Sequence, residues 1–366
     1  MNASPAARFG FLVHPLTPLQ RRLLGVRAAD VGLIAGRSAV WHGPVEIAHL
    51  RTTTAPAGHV EGWLMALPSL PEALIEQQED AVRDLAVAVR ACADRGAQVV
   101  GLGALTALIG AHGRALEQIA AVPVTSGTAL TSWAAVETLR LAQMQGLRAS
   151  RTPVALLGLP GPAAMGITRL LVAQGHAVEV VVPAPPRALE RQLDALNALG
   201  PGSVGVTPCP YAALQSGRLL VAASTTGGRL SYARLPRGAI VVDVAEPVDV
   251  LYDAPQRDDV LVLDGELVDL PGRLTGSQPW TWVYERVTGQ RGALFACFVE
   301  PMVVAASNDA TLAGVGRDVP LERIVALGNA ARSLGFGVRT LYERGRAVRA
   351  ARVADFSTAR PKSAGR

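Results

Sequence analysis

Apolar residues recur along this chain in two rhythms. Up to about residue 125, short apolar runs at Phe9–Val13 and Gln98–Leu102 have the length of buried strands. Between them, Pro71 to Asp94 places Leu74, Ile75, Ala81, Leu85, Val87 and Val89 at helical spacing and stops near Gly96. Thr128 to Met144 predicts a second helix, with Ser126 or Thr128 as its cap and Gly146 as its stop, which would connect two domains. From Arg151 the pattern becomes a regular alternation. Strands are predicted at Pro153–Leu157, His176–Val182, Ser203–Val206, Leu219–Ala223, Ala239–Val244 and Val260–Leu263, and helices at Gly161–Gln174 and Arg187–Leu199. Strands alternating with helices of this length imply a parallel sheet covered on both faces, so the fold class is α/β. After Leu270 the pattern turns helical again, at Leu294–Leu312 and Leu321–Leu334.

The first turn of the alternating region carries a recognisable spacing. In VALLGLPGPAAMGITRLLVAQGHAVEVVV, a strand meets a glycine turn, a helix and another strand. Gly158 permits the tight turn, Gly161 lets backbone approach a pyrophosphate at the helix N-terminus, and Ala164 is small enough for the helix to pack on its strand. With Leu159 and Pro160 between the glycines, this is the expected dinucleotide site of a Rossmann unit. The end of the next strand, VVVPAPPRAL, offers no acid for a ribose 2′-hydroxyl but does offer Arg187. A cation there suits a 2′-phosphate, so NADP(H) is the expected cofactor. Ser224 and Thr225, in the polar loop Ala222–Gly228, are candidates for the nicotinamide end or plain turn residues. The expected division is an N-terminal α/β domain over 1–127, a Rossmann domain over 128–275 with its connecting helix, a C-terminal helical segment over 276–343, and a basic, disordered tail over 344–366.

Composition narrows the chemistry. At 366 residues, 49% hydrophobic and 18% charged, the chain has the makings of two globular cores. Its longest near-apolar stretch, Val99–Ala111, is too short to span a bilayer, and its N-terminus lacks an apolar leader core. Both point to a cytoplasmic protein without stable membrane insertion. The net charge of +5 comes from the tail: seven arginines and lysines follow from Arg344 onward against one acid, and without them the body carries −1. That body has no footprint for nucleic acid. Lys362 is the only lysine, which removes P-loop chemistry, lysine-linked PLP and a Tyr-Lys catalytic pair. Three cysteines and six scattered histidines show no metal-ligand spacing.

Of the cysteines, Cys92 falls on an amphipathic helix and reads as packing, and Cys209 lies between prolines in a loop. Cys297 is in LFACFVEPMVV, where Pro301 would restart or kink a helix. A thiol at a helix start is a better nucleophile, but these residues alone favour a buried, inert thiol. FGFLVHPLT (9–17), VVGLGALTALI (99–109), TSGTALTSW (125–133), VALLGLPG (154–161), FACFVEPM (295–302) and ALGNAARSLGF (326–336) together resemble the cyanobacterial long-chain acyl-[acyl-carrier-protein] reductases. That resemblance implies NADPH-dependent reduction of an acyl thioester, from acyl carrier protein or CoA, to a fatty aldehyde. It makes Cys297 the acylated nucleophile, with Glu300 and His14 as further catalytic candidates. The chain departs from the family's pattern at Thr128, Leu130 and Pro301. Alternatives are a shikimate- or quinate-type dehydrogenase, disfavoured by the missing lysine, and a non-catalytic NADP-binding protein.

Overall fold

The computed structural model describes residues 6–14, 44–55, 58–67, 69–145, 153–182, 187–217, 219–277 and 292–358. The chain is mixed α/β and divides into two compact units. The first comprises Met1–Leu130, Leu270–Asp318 and Val325–Gly337; the second comprises Thr131–Asp269, Val319–Ile324 and Val338–Arg366. Residues 276–343, expected as a segment of their own, are thus shared between the two. Among the described residues no helix is long and apolar enough to cross a membrane.

In the first unit, β1 (Ala7–Val13) lies parallel to both β3 (Gly58–Ala66) and β4 (Val99–Leu102), and β4 is parallel to β5 (Val124–Thr125). β2 (Val45–Thr54) pairs antiparallel with β3, with a register shift between Glu46 and Ala48. Side chains alternate across such a sheet, and β1 uses both faces. On one face Gly10 makes room for helix α2 (Gln78–Asp94): a Cβ on Gly10 would lie 2.6 Å from Cys92 Sγ. Leu85, Val89 and Cys92 join Leu12, Val100 and Leu102 in the core on that side. Each such aliphatic side chain contributes about 1.5–3 kcal/mol on burial. The predicted 71–94 helix is in fact two, because the backbone leaves helical geometry at Gln77 (φ −117°, ψ 57°) between α1 (Pro71–Glu76) and α2.

On the opposite face of β1, the Phe11 ring meets Phe298 edge-on at 4.4 Å. Phe298 belongs to helix Ala296–Ser307, hereafter the Cys297 helix, which runs unbroken through Pro301. An internal proline costs about 3 kcal/mol because it lacks a donor and crowds the preceding turn. Here its ring is buried over Gly101, where a Cβ would come within 2.7 Å of Pro301 Cγ. Packing on a bare strand glycine offsets the break expected from the sequence.

The second unit alternates strand and helix: β6 (Val154–Leu157), α4 (Pro162–Ala173), β7 (Ala177–Val181), α5 (Arg187–Asn197), β8 (Ser203–Thr207), α6 (Pro210–Gly217), β9 (Leu219–Ala222), β10 (Ile240–Asp243) and β11 (Leu261–Asp264). Here α3, the connecting helix, is Thr128–Met144. All sheet neighbours are parallel, in the order β8-β7-β6-β9-β10-β11. Numbered within the unit, that order is 3-2-1-4-5-6, the doubly wound arrangement of Rossmann sheets. The residues after Arg344, expected to be disordered, are built into this unit as far as the helix Ala350–Thr358. Asp264 accepts from the backbone N–H of Arg344 and Gly345 (3.1 and 2.7 Å), Arg352 pairs with Glu343 at 3.0 Å, and Val353 is fully buried.

Candidate functional site

The second unit places the glycine turn where its strand order reverses. β6 and β9 are adjacent, and the chain leaves their carboxyl ends in opposite directions, which opens a crevice there. Gly158 follows β6 with φ +126°, a backbone conformation that favours glycine. A Cβ on it would lie 2.4 Å from the carbonyl oxygen of Ala223 and 2.9 Å from the nitrogen of Ser224. Gly161 donates to the Gly158 carbonyl at 2.8 Å and caps α4, which opens with Pro162. Leu159 is half-buried, Pro160 exposed, and Ala164 buried, its carbonyl accepting from Thr168 Oγ1 at 2.8 Å. The expected residues of the turn are therefore together at one helix N-terminus.

The other cofactor candidates are less uniform. Thr225 is exposed on the β9 side of the crevice. The Ser224 hydroxyl is turned the other way: it donates to Asp249 Oδ1 at 2.5 Å and accepts from Gly227 N at 3.1 Å. Arg187 opens α5, and its side chain lies outside the described residues.

Sequence reasoning missed the acids on this side. Asp243 ends β10; its oxygens accept from Ala245 N (3.0 Å) and Val250 N (2.9 Å), and burial pushes its pKa up to about 7. Asp264 stands opposite it in register at the end of β11 and is raised by burial as well. The signal was present in VVDVAEPVDV, where three acids follow an apolar strand within seven residues.

In the first unit, β1, β4 and β5 run parallel, so the residues after each share one sheet edge. His14 follows β1. It is buried, and its Nε2 accepts from Leu105 N at 3.3 Å, which puts the ring proton on Nδ1 when the imidazole is neutral. Two strands away, β5 leads through Ser126 and Gly127 into α3. Gly127 (φ +77°) sits directly on Cys297: a Cβ would lie 2.4 Å from both Cys297 Cα and Cβ. Cys297 is the second residue of its helix and, between Ala296 and Ala305, the one residue that is not buried. A helix start and partial exposure are what a reactive thiol requires.

Glu300, one turn on, is fully buried. Its Oε1 accepts from Thr125 Oγ1, and its Oε2 accepts from Leu130 N, the third residue of α3, at 2.7 Å. A carboxylate there satisfies a helix N-terminal donor and ties β5, α3 and the Cys297 helix together. The other thiols differ. Cys92 is wholly enclosed and burial raises its pKa to about 12, whereas Cys209 is half-exposed in a loop. A thiol-labelling reagent is therefore expected to modify two cysteines in the native chain and the third only in denaturant, with Cys297→Ser removing one of the native pair. Native labelling of Cys92 would show that the α2 face opens in solution.

No cluster of three or more His, Cys, Asp or Glu side chains able to hold a metal occurs among the described residues. No family model matches the chain. It is 26% identical over 362 residues to the aminotransferase PigE of Serratia sp. (strain ATCC 39006), a match that covers 94% of this chain and 41% of that protein. The chain thus spans less than half the length of the curated relative. That match overturns the resemblance to acyl-[acyl-carrier-protein] reductases, and with it thioester reduction to a fatty aldehyde. The motifs behind the resemblance have a packing reason instead: Gly101 admits Pro301 and Phe11, and Gly127 admits Cys297. Among solved structures, L-tryptophan dehydrogenase from Nostoc punctiforme gives a TM-score of 0.38 at 14% identity, over 90% of this chain and 80% of that one. D-lactate dehydrogenase with NAD+ from Lactobacillus jensenii gives 0.26 at 10% identity, over 70% of this chain and 88% of that one.

Proposed function

We propose that this chain is an NADP(H)-dependent oxidoreductase acting on a carbonyl–alcohol pair, with the cofactor held by the second unit. The observation that carries the reading is the position of Gly158 and Gly161 at the reversal point of a 3-2-1-4-5-6 parallel sheet. Backbone without side chains at a helix N-terminus, opposite a second strand end, is suited to a pyrophosphate. The bound nicotinamide would supply the hydride; the chain's own residues bind and orient it. Arg187, at the start of α5, is the residue proposed to select a 2′-phosphate.

The transaminase chemistry named for the relative is not carried over to this chain, which covers 41% of that protein. PLP enzymes of that kind hold their cofactor through a lysine, and Lys362 is the only lysine. An aminotransferase exchanges an amine with a carbonyl compound, so a carbonyl is the group that an oxidoreductase could share with such an activity.

The test is direct titration. NADPH is expected to bind more tightly than NADH, and Arg187→Ala to narrow the gap by weakening NADPH alone. Equal affinity for both in the parent chain would remove the specificity assignment; affinity for neither would remove the cofactor. Consumption of NADPH with a panel of aldehydes and ketones is expected, and no consumption with any of them would remove the reaction class.

A further inference from the structure

Asp249 is fully buried and is not part of the glycine turn, yet both of its carboxylate oxygens are committed to one residue of the opposite loop. Oδ2 accepts from Ser224 N at 2.9 Å and Oδ1 from Ser224 Oγ at 2.5 Å. The same loop is laced to the Asp249 segment by backbone. Gly228 N donates to Val248 O and Leu230 N to Asp249 O, both at 2.9 Å. Gly227, with φ +65°, comes so close that a Cβ would lie 2.6 Å from Pro247 O. At its other end, this loop is the wall against which Gly158 packs. One carboxylate therefore fastens the loop on the β9 side of the crevice to the segment that follows β10.

We propose that Asp249 is a positioning residue for the dinucleotide: it clamps the Ser224–Gly227 loop at the end of β9 and so shapes the half of the crevice that receives the nicotinamide mononucleotide. In a doubly wound sheet each βαβαβ half takes one mononucleotide, and the loop after β9 belongs to the second half. A buried carboxylate is costly unless its oxygens are hydrogen-bonded, and here both are spent on holding this loop. Asp243, whose oxygens take Ala245 N and Val250 N, fixes the other side of the Asp249 segment. Ser224 thereby becomes part of the clamp instead of a direct ligand.

This inference rests on the proposed cofactor, and its test separates the two. The parent chain, Asp249→Ala and Asp249→Asn are titrated with NADPH and with 2′,5′-ADP, which carries the adenosine half alone. Asp249→Ala is expected to raise the Kd for NADPH at least tenfold while moving that for 2′,5′-ADP less than twofold. Asp249→Asn, which keeps one acceptor oxygen, should fall between. Should Asp249→Ala not fold, Ser224→Ala, which removes one of the two bonds, is expected to show the same split at three- to tenfold. Unchanged NADPH affinity, or equal losses for both ligands, overturns the positioning role and leaves the cofactor assignment standing. A parent chain that binds neither ligand overturns both.

Discussion

Gly158→Ala is expected to abolish measurable NADPH binding while the first unit stays folded. At φ +126° an L-residue is strained to begin with, by an amount on the order of 1–3 kcal/mol. The added methyl would also sit 2.4 Å from the Ala223 carbonyl, a contact with backbone that no rotamer can relieve. The β6 and β9 loops must then separate, and the turn loses the approach a pyrophosphate needs. A loss of about 3 kcal/mol in binding corresponds to more than a hundredfold in Kd. Gly161→Val should have a similar effect, because a Cβ there meets the Gly158 carbonyl at 2.8 Å. Titration with NADPH, alongside labelling to confirm that Cys92 stays protected, measures both. Normal affinity in Gly158→Ala would mean that the nucleotide does not enter at this turn.

The second large effect is expected at Glu300. Glu300→Ala would leave Leu130 N without its acceptor, Thr125 Oγ1 with only Gly314 O at 3.3 Å, and a cavity where the side chain lay. A buried donor left unsatisfied costs about 1–3 kcal/mol and the cavity adds to it, so the denaturant midpoint of the first unit should fall markedly. Glu300→Gln can still accept from Leu130 N, and Thr125 Oγ1 can donate instead to Gly314 O, now 3.3 Å away. It should lose only about 1–2 kcal/mol. The pair of variants separates a structural tie from an acid in the reaction. If Glu300→Gln were as stable as the parent chain yet without turnover, Glu300 would have to be returned to the chemistry.

The resemblance to thioester reductases shows how short motifs mislead. Small residues in VVGLGALTALI and TSGTALTSW have a packing reason, because the Cys297 helix presses on Gly101 of β4 and on Gly127 after β5, whatever reaction the chain supports. The reason for these residues is steric. The break of the first-unit helix at Gln77 was invisible for the converse reason: no glycine or proline marks it, and the apolar spacing continues across it. Strands β2 and β3 were missed because their burial depends on pairing with each other and with β1.

What the sequence determined by itself is what neighbouring residues can specify. Periodicity set the alternation of β6 to β11 with their helices, Thr128–Met144 as a helix, and the glycine turn after Leu157, because each rests on spacing within one element or one turn. Composition excluded lysine-dependent chemistry for the same kind of reason. The tertiary structure alone decided which distant groups meet. Glu300 finds Leu130 and Thr125 across 170 and 175 residues, Asp249 finds Ser224 across 25, and the basic C-terminal residues find Asp264 and Glu343. A buried carboxylate is tolerable only where donors already wait for it, and nothing in its local sequence says where those donors are. So the chain's pattern announced the glycine turn, and the fold decided which acids meet the loops around it.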